Sequence, residues 1–208
     1  LINYPLRETL YSGTCSGSKV SETLYRYAGS ANPTQKALDN RGLLTYILRL
    51  RNTSTNEYST EKRTYTALGL LESTITFSEG STTSTYATNT RITTTTTYNT
   101  LGLPISVKTA AAGVKTQTET IAYDGTFPWL VAKVTDSNDI STQYDYDNFG
   151  RLSVVIMPGD SSGDPTIRYD YYDDSSPIFT SPLLVRVFYK GNVKSAERQF
   201  YDGLGRLV

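Results

Sequence analysis

Along most of the chain, apolar residues recur at every second position, and the 3.6-residue recurrence of an amphipathic helix is hard to find. In RITTTTTY, Ile92, Thr94, Thr96 and Tyr98 share one face, and in TETIAY, Glu119, Ile121 and Tyr123 do the same. In LLVRVFYK, Val185, Val187 and Tyr189 alternate with Arg186, Phe188 and Lys190. This alternation predicts strands with one drier face. The threonine-rich segment Ser81 to Thr97 has the composition of a mucin-like stalk, but its alternating Ile and Tyr favour a solvent-facing strand. The pattern predicts an all-β chain with little or no helix.

The strands are punctuated by a repeat centred on glycine. LDNRGLL (38–44), YTALGLL (65–71), YNTLGLP (98–104), YDNFGRL (146–152) and YDGLGRL (201–207) align, and AYDGTFPWLVAKVTD (122–136) is a degenerate member with its tip near 123–129. Successive tips lie about 23 to 33 residues apart, except the last interval of about 55, which leaves room for an eroded unit at YDYYDD, 169–174.

Each motif reads as a hairpin tip. Asp at the first position of a type I turn can bond the backbone two residues on, and the glycine supplies the positive φ that a three-residue loop needs before the chain returns. The turn glycines are then Gly42, Gly69, Gly102, Gly150 and Gly205. Tyr65, Tyr98, Tyr146 and Tyr201 end the outgoing strands as packing residues, with Leu, Pro or Val two positions past the glycine on the returning strand. Doubled tyrosines, such as Tyr25 with Tyr27 or Tyr169 with Tyr171, can stack rings between hairpins. A lone hairpin is marginal in water, so the series predicts consecutive antiparallel hairpins side by side in one continuous curved sheet.

Composition removes most chemistry. The chain has 20 basic and 20 acidic residues, no basic patch and no histidine, so a nucleic-acid partner is not expected and Ser-His-Asp, Cys-His and histidine-metal sites are excluded within it. Cys15 is alone and lacks a base. No apolar run reaches the ~18 residues of a membrane helix. The chain opens on Leu1 and stops on Val208 inside a motif, which predicts a piece of a longer polypeptide.

The remaining candidates are weak. Asp170, Asp173 and Asp174 could ligate calcium, yet their spacing fits no EF-hand loop and a solvated turn explains them as well. Asp136, Asn138 and Asp139 lack a glycine at the sixth loop position and read as a plain turn. Asp160 and Asp164 sit in PGDSSGDP without the aromatic cleft that a glycosidase carboxylate pair needs. Asn52-Thr53-Ser54 matches a glycosylation acceptor, and Trp129 beside Phe127 and Pro128 is either a sugar platform or a hydrophobic plug. Arg151 and Arg206 read as partners for turn carbonyls or for an acidic residue of the adjacent hairpin. No metal or cofactor is expected.

The motifs YDNFGRL and YDGLGRL, with Tyr146, Asp147, Gly150, Arg151 and Leu152 in one and Tyr201, Asp202, Gly205, Arg206 and Leu207 in the other, resemble the YD repeat of the RHS proteins. Tyr123-Asp124 followed by Phe127-Pro128 is similar in order to the YD-repeat shell of insecticidal toxin complexes and related polymorphic toxins. The resemblance runs from about Leu38 to the end and more faintly from Tyr25. Three units replace the Asp or the Arg, with Thr66, Asn99, Leu70 and Leu103 at those positions.

The resemblance implies one YD-repeat region over 1–208, a segment of a spiral shell of a bacterial, secreted or cell-surface protein that encapsulates a C-terminal toxin or effector polypeptide. Its partners would be the rest of the parent polypeptide and the enclosed toxin, and the segment itself would not be an enzyme. The family's releasing aspartate protease is marked by paired Asp-Pro-x-Gly motifs; Asp164-Pro165-Thr166-Ile167 lacks the glycine. The alternative is a cell-surface adhesin or carbohydrate-binding β module.

Overall fold

A computed structural model describes residues 4–27, 42–77, 80, 90–172, 183–190 and 196–201; for 172, 183–186 and 196–201 it describes the backbone alone. Contacts divide the chain into two units, Leu1–Thr118 and Glu119–Val208. No helix occurs among the described residues, where β-branched and aromatic residues dominate the extended segments.

The first unit contains β1 (Arg7–Tyr11), β2 (Lys19–Tyr27), β3 (Leu44–Asn52), β4 (Glu57–Tyr65), β5 (Leu71–Phe77), β6 (Thr90–Tyr98) and β7 (Pro104–Ala111). Each strand pairs antiparallel with its successor. β8 (Gln117–Tyr123) reaches across the division. The second unit continues with β9 (Val131–Thr135), β10 (Ser141–Tyr146), β11 (Leu152–Ile156), β12 (Ile167–Tyr172), β13 (Leu183–Tyr189) and β14 (Ala196–Tyr201). Pairing from β8 to β14 again follows chain order. In such a meander alternate connections fall on opposite margins, so within each unit the motif tips share one margin.

Apolar burial is local. In the first unit Leu24, Leu48 and Tyr58 form a core cluster with Tyr46 and Leu50 packed against it. In the second, Val155, Ile156 and Val187 are buried. From Glu61 to Val154 none of the described residues is buried. The reason is visible in the registers of β5, β6 and β7, where Thr74, Thr94 and Thr109 stand side by side and Thr64 faces Ser73. Their hydroxyls bond each other, Thr64 to Ser73 at 2.7 Å and Thr94 to Thr109 at 3.4 Å. Hydroxyls stand where a layered domain would place Leu or Val, and these strands meet water on both faces.

Candidate functional site

The repeat motif has one geometry at successive tips. At YDNFGRL the Asp147 carbonyl accepts from Gly150 N–H at 2.9 Å and the Asp147 N–H donates to the Arg151 carbonyl at 2.9 Å, closing a type I turn onto the ladder. Gly150 takes φ +76°, the left-handed conformation open to glycine at little cost. Asp147 Oδ1 accepts from the N–H groups of Phe149 and Arg151, both at 2.9 Å, while Oδ2 receives Arg151 Nε at 2.7 Å. Burial pushes the Asp147 carboxyl up, but the backbone and side-chain hydrogen bonds from Arg151 outweigh it and hold the group below its ordinary value.

The tips at Asn99 and Thr66 reproduce this turn with substitutes. Asn99 Oδ1 accepts from Leu101 and Leu103 at 3.0 Å each, with Gly102 at φ +78°. Thr66 Oγ1 accepts from Leu70 at 3.2 Å, with Gly69 at φ +84°. Asp124 Oδ1 accepts from Thr126 and Phe127 at 2.8 Å. Gly42 also has positive φ, +62°, and the Tyr4 ring occupies the space a side chain there would need. Asp202, Gly205, Arg206 and Leu207 lie outside the described residues, and Tyr201 is described only as the end of β14.

The tyrosines join neighbouring strands. Tyr65 donates its hydroxyl to the Leu44 carbonyl at 2.7 Å, Tyr98 to Leu71 at 2.6 Å, Tyr146 to Val131 at 2.8 Å and Tyr171 to Leu152 at 2.8 Å. Leu44, Leu71 and Leu152 each stand two residues past a turn glycine, so one motif's phenol fastens to the preceding motif's returning strand. Burial pushes the Tyr146 phenol above its ordinary value. Arg151 adds a second link: while paired with Asp147, its guanidinium lies 4.2 Å from the Tyr171 ring centre and 5.1 Å from that of Phe149. Tyr123 pairs directly with Val131 at its own tip.

No family model matches the chain, and no curated protein matches it. Among solved structures it is similar to the crystal structure of TcdB2-TccC3-Cdc42, with a TM-score of 0.53 and 14% sequence identity over 98% of this chain. The likeness is one of fold. The chain spans about a tenth of that chain's length, 10% of it being covered.

Sequence reasoning names Tyr27 and Tyr171 as stacking rings and reads Asp139 into a plain turn, which the structure shows, but it does not see the hydrogen bonds of the two tyrosines or the positive φ of the aspartate. Tyr27 donates to the Pro5 carbonyl at 2.9 Å as the motif tyrosines do, but a long connection separates it from its glycine. Tyr171 is a clamp inside the eroded YDYYDD. Asp139 takes φ +63° in a turn built like the glycine ones, with Asp136 Oδ1 accepting from Asn138 at 2.8 Å and Ile140 at 2.9 Å. An Asp three residues before a second Asp, flanked by strand-formers, was the available signal.

The carboxylate candidates are engaged in ion pairs. Asp160 receives Lys190 Nζ at 2.6 Å and the Thr166 hydroxyl at 2.5 Å, and Lys190 also reaches Asp164 at 3.2 Å. The Lys190 hydrogen bond pulls Asp160 below its ordinary value, opposite to the raised carboxyl of a glycosidase acid. Asp170 pairs with Arg168 at 3.1 Å, while Asp173 and Asp174 lie outside the described residues. Asn52 Oδ1 caps the β3–β4 turn by accepting from Ser54 at 2.9 Å, Cys15 is exposed, and Trp129 packs edge-on to Phe127 at 5.9 Å while 63% exposed.

A buried, densely bonded charged cluster lies in the first unit. Glu22, 3% exposed, accepts from Tyr58 and Arg7, and from Lys19 at 3.1 Å. Burial pushes its carboxyl up, but the hydrogen bonds from Tyr58, Lys19 and Arg7 hold it below its ordinary value of 4.5. Burial and the bond to Glu22 push the Tyr58 phenol up to about 12. The cluster is a structural pin, with every member spent on another.

Proposed function

We propose that the chain is a non-catalytic wall segment of an RHS-type YD-repeat shell, enclosing a C-terminal toxin or effector polypeptide in a secreted or cell-surface bacterial protein. The observation that carries this reading is the run of hairpins from Glu61 to Val154, in which no described residue is buried and, within each unit, Tyr98 and Tyr146 fasten their tips to the preceding hairpin. A wall between an interior and the outside needs that construction. The YD motifs and the fold likeness to TcdB2-TccC3-Cdc42 support it. No described helix is long and apolar enough to cross a membrane.

The test is limited proteolysis of the natural full-length polypeptide. A C-terminal segment should resist protease while the shell is intact and be cut once mild denaturant opens it. Cleavage at the same rate before and after opening contradicts the proposal.

A second reading, a carbohydrate-binding surface, draws on Trp129 at 63% and Phe149 at 78% exposure on one margin of the second unit. Glycan-array binding abolished by Trp129→Ala would favour it; an array without binding removes it.

A further inference from the structure

Among the described residues, Asn56 at φ +51° and Asp139 at φ +63° hold the left-handed backbone conformation without being glycine. A side chain there raises an energy that glycine avoids, so its presence calls for a use of the side chain. Asn56 has one: its Oδ1 accepts from Lys19 Nζ at 3.3 Å. The Asp139 turn is bonded as the glycine turns are, with the Asp136 carbonyl accepting from Asp139 N–H at 3.2 Å and the Asp136 N–H donating to the Ile140 carbonyl at 2.9 Å. Gly69, Gly102 and Gly150 occupy the same position in the sister turns. The Asp139 carboxylate, in contrast to the Asn56 amide, has no hydrogen-bond or ion-pair partner among the described residues.

That carboxylate borders a cleft within the second unit. Ladder pairing between β10 and β11 ends at Gln143 and Ile156, and beyond them the turn after β9 and the connection after β11 part around a space of about 300 Å³. Asp139, Ser141 and Gln143 stand on one side, Ile156, Met157 and Asp160 on the other. The second wall is held in place, because Thr166 Oγ1 accepts from Met157 N–H at 2.8 Å and donates to Asp160 Oδ2 at 2.5 Å. Lys190 binds the other Asp160 oxygen at 2.6 Å. Of the two charged residues lining the cleft, Asp160 is thus neutralised and Asp139 is not.

We propose that this cleft binds the side chain of a lysine or arginine residue of a polypeptide partner. The methylene stem lies along Ile156 and Met157, and the cationic head meets Asp139, with the Ser141 hydroxyl and the Gln143 amide oxygen as further acceptors. Charge complementarity selects this occupant: an anion is repelled by Asp139, and a neutral aliphatic chain leaves the carboxylate uncompensated. A sugar is disfavoured because none of the lining residues is aromatic. The strain at Asp139 is then retained for the charge it places. The site rests on this cleft and not on the wall reading, which protease protection tests separately.

Titration of the 15N-labelled chain with N-acetyl-arginine amide and N-acetyl-lysine amide, read from backbone amide shifts, tests the site, with N-acetyl-norleucine amide as the uncharged control. Both cations should shift Ile140, Ser141, Gln143 and Met157 saturably, with a Kd of about 1 mM, and the norleucine amide should bind about tenfold more weakly or less. Asp139→Asn, which keeps the shape of the side chain, and Asp139→Gly, which relieves the backbone, should each weaken cation binding about tenfold or more. A melting temperature at or above that of the parent shows that the Asp139→Gly chain is folded. Absence of saturable shifts at these residues overturns the proposal, as does cation binding that survives in either variant, or norleucine amide binding as tightly as the cations.

Discussion

The phenol of Tyr65 donates to the carbonyl of Leu44 at 2.7 Å, joining the end of one outgoing strand to the opening of the preceding returning strand. The same pairing of roles at Tyr98 with Leu71 and Tyr171 with Leu152 makes the tyrosine of the repeat a fastener between hairpins. Stability should then be close to a sum over neighbours.

Removing one hydroxyl should cost what a partly buried hydrogen bond is worth. Tyr65→Phe is expected to lower unfolding free energy by about 1 kcal/mol in urea titration, and Tyr98→Phe, whose bond is exposed, by less. Equal and negligible losses at both positions would mean that the rings, and not the hydroxyls, hold the strands.

Backbone conformation, not space, limits Gly150. A Cβ there would meet Leu130 and Phe127 at an ordinary 3.5 Å, so Gly150→Val costs at least the strain of φ +76°, on the order of 1 to 3 kcal/mol. Asp139→Gly should act in reverse and stabilise by roughly 0.5 to 1 kcal/mol, because Asp139 holds φ +63° with a side chain. Thermal melts of the two variants should move in opposite directions.

Asp147 separates turn bonding from charge. Asp147→Asn keeps an oxygen for the Phe149 and Arg151 N–H groups, as Asn99 does in its own motif, and should lose only the ion pair, under about 1 kcal/mol. Asp147→Ala loses both and should cost about 1 to 2 kcal/mol more. Raising salt should shrink the first loss and leave most of the second.

The Glu22 and Tyr58 pair sets two pH limits of opposite sign. Glu22 sits below its ordinary 4.5, so its contribution is present above that value and is lost as pH falls through the lower folded value. Tyr58 is raised from 10.0 to about 12, so its contribution is present below pH 10 and is lost as pH rises toward 12. Urea midpoints across pH should fall at both ends. Tyr58→Phe should flatten the alkaline arm; an unchanged arm would place that loss on other tyrosines.

The turns were legible because their chemistry is local: Asp147, Asn99 and the glycines after them carry their conformations within a few residues. The clamps were not. A phenol reaching a carbonyl on the next strand depends on register, which the tyrosines of YTALGLL and YNTLGLP cannot announce, and the reading of these residues as packing rings did not include the carbonyl. The clamp role of Tyr27 escaped because a long connection follows it; the turn at Asp139 was read correctly, and only its positive φ escaped, because an aspartate there carries no glycine signature. The loss of burial between Glu61 and Val154 was half visible in the threonines, whose alternation predicts strands but not which face is wet.

Small-angle scattering extrapolated to zero concentration tests the wall reading most directly. A compact 208-residue domain has a radius of gyration of roughly 17 Å. An unlayered run of hairpins spreads the same mass more widely, so the account predicts a value clearly above this. A value near 17 Å would mean that the hairpins fold into a closed sandwich or barrel, and would contradict it.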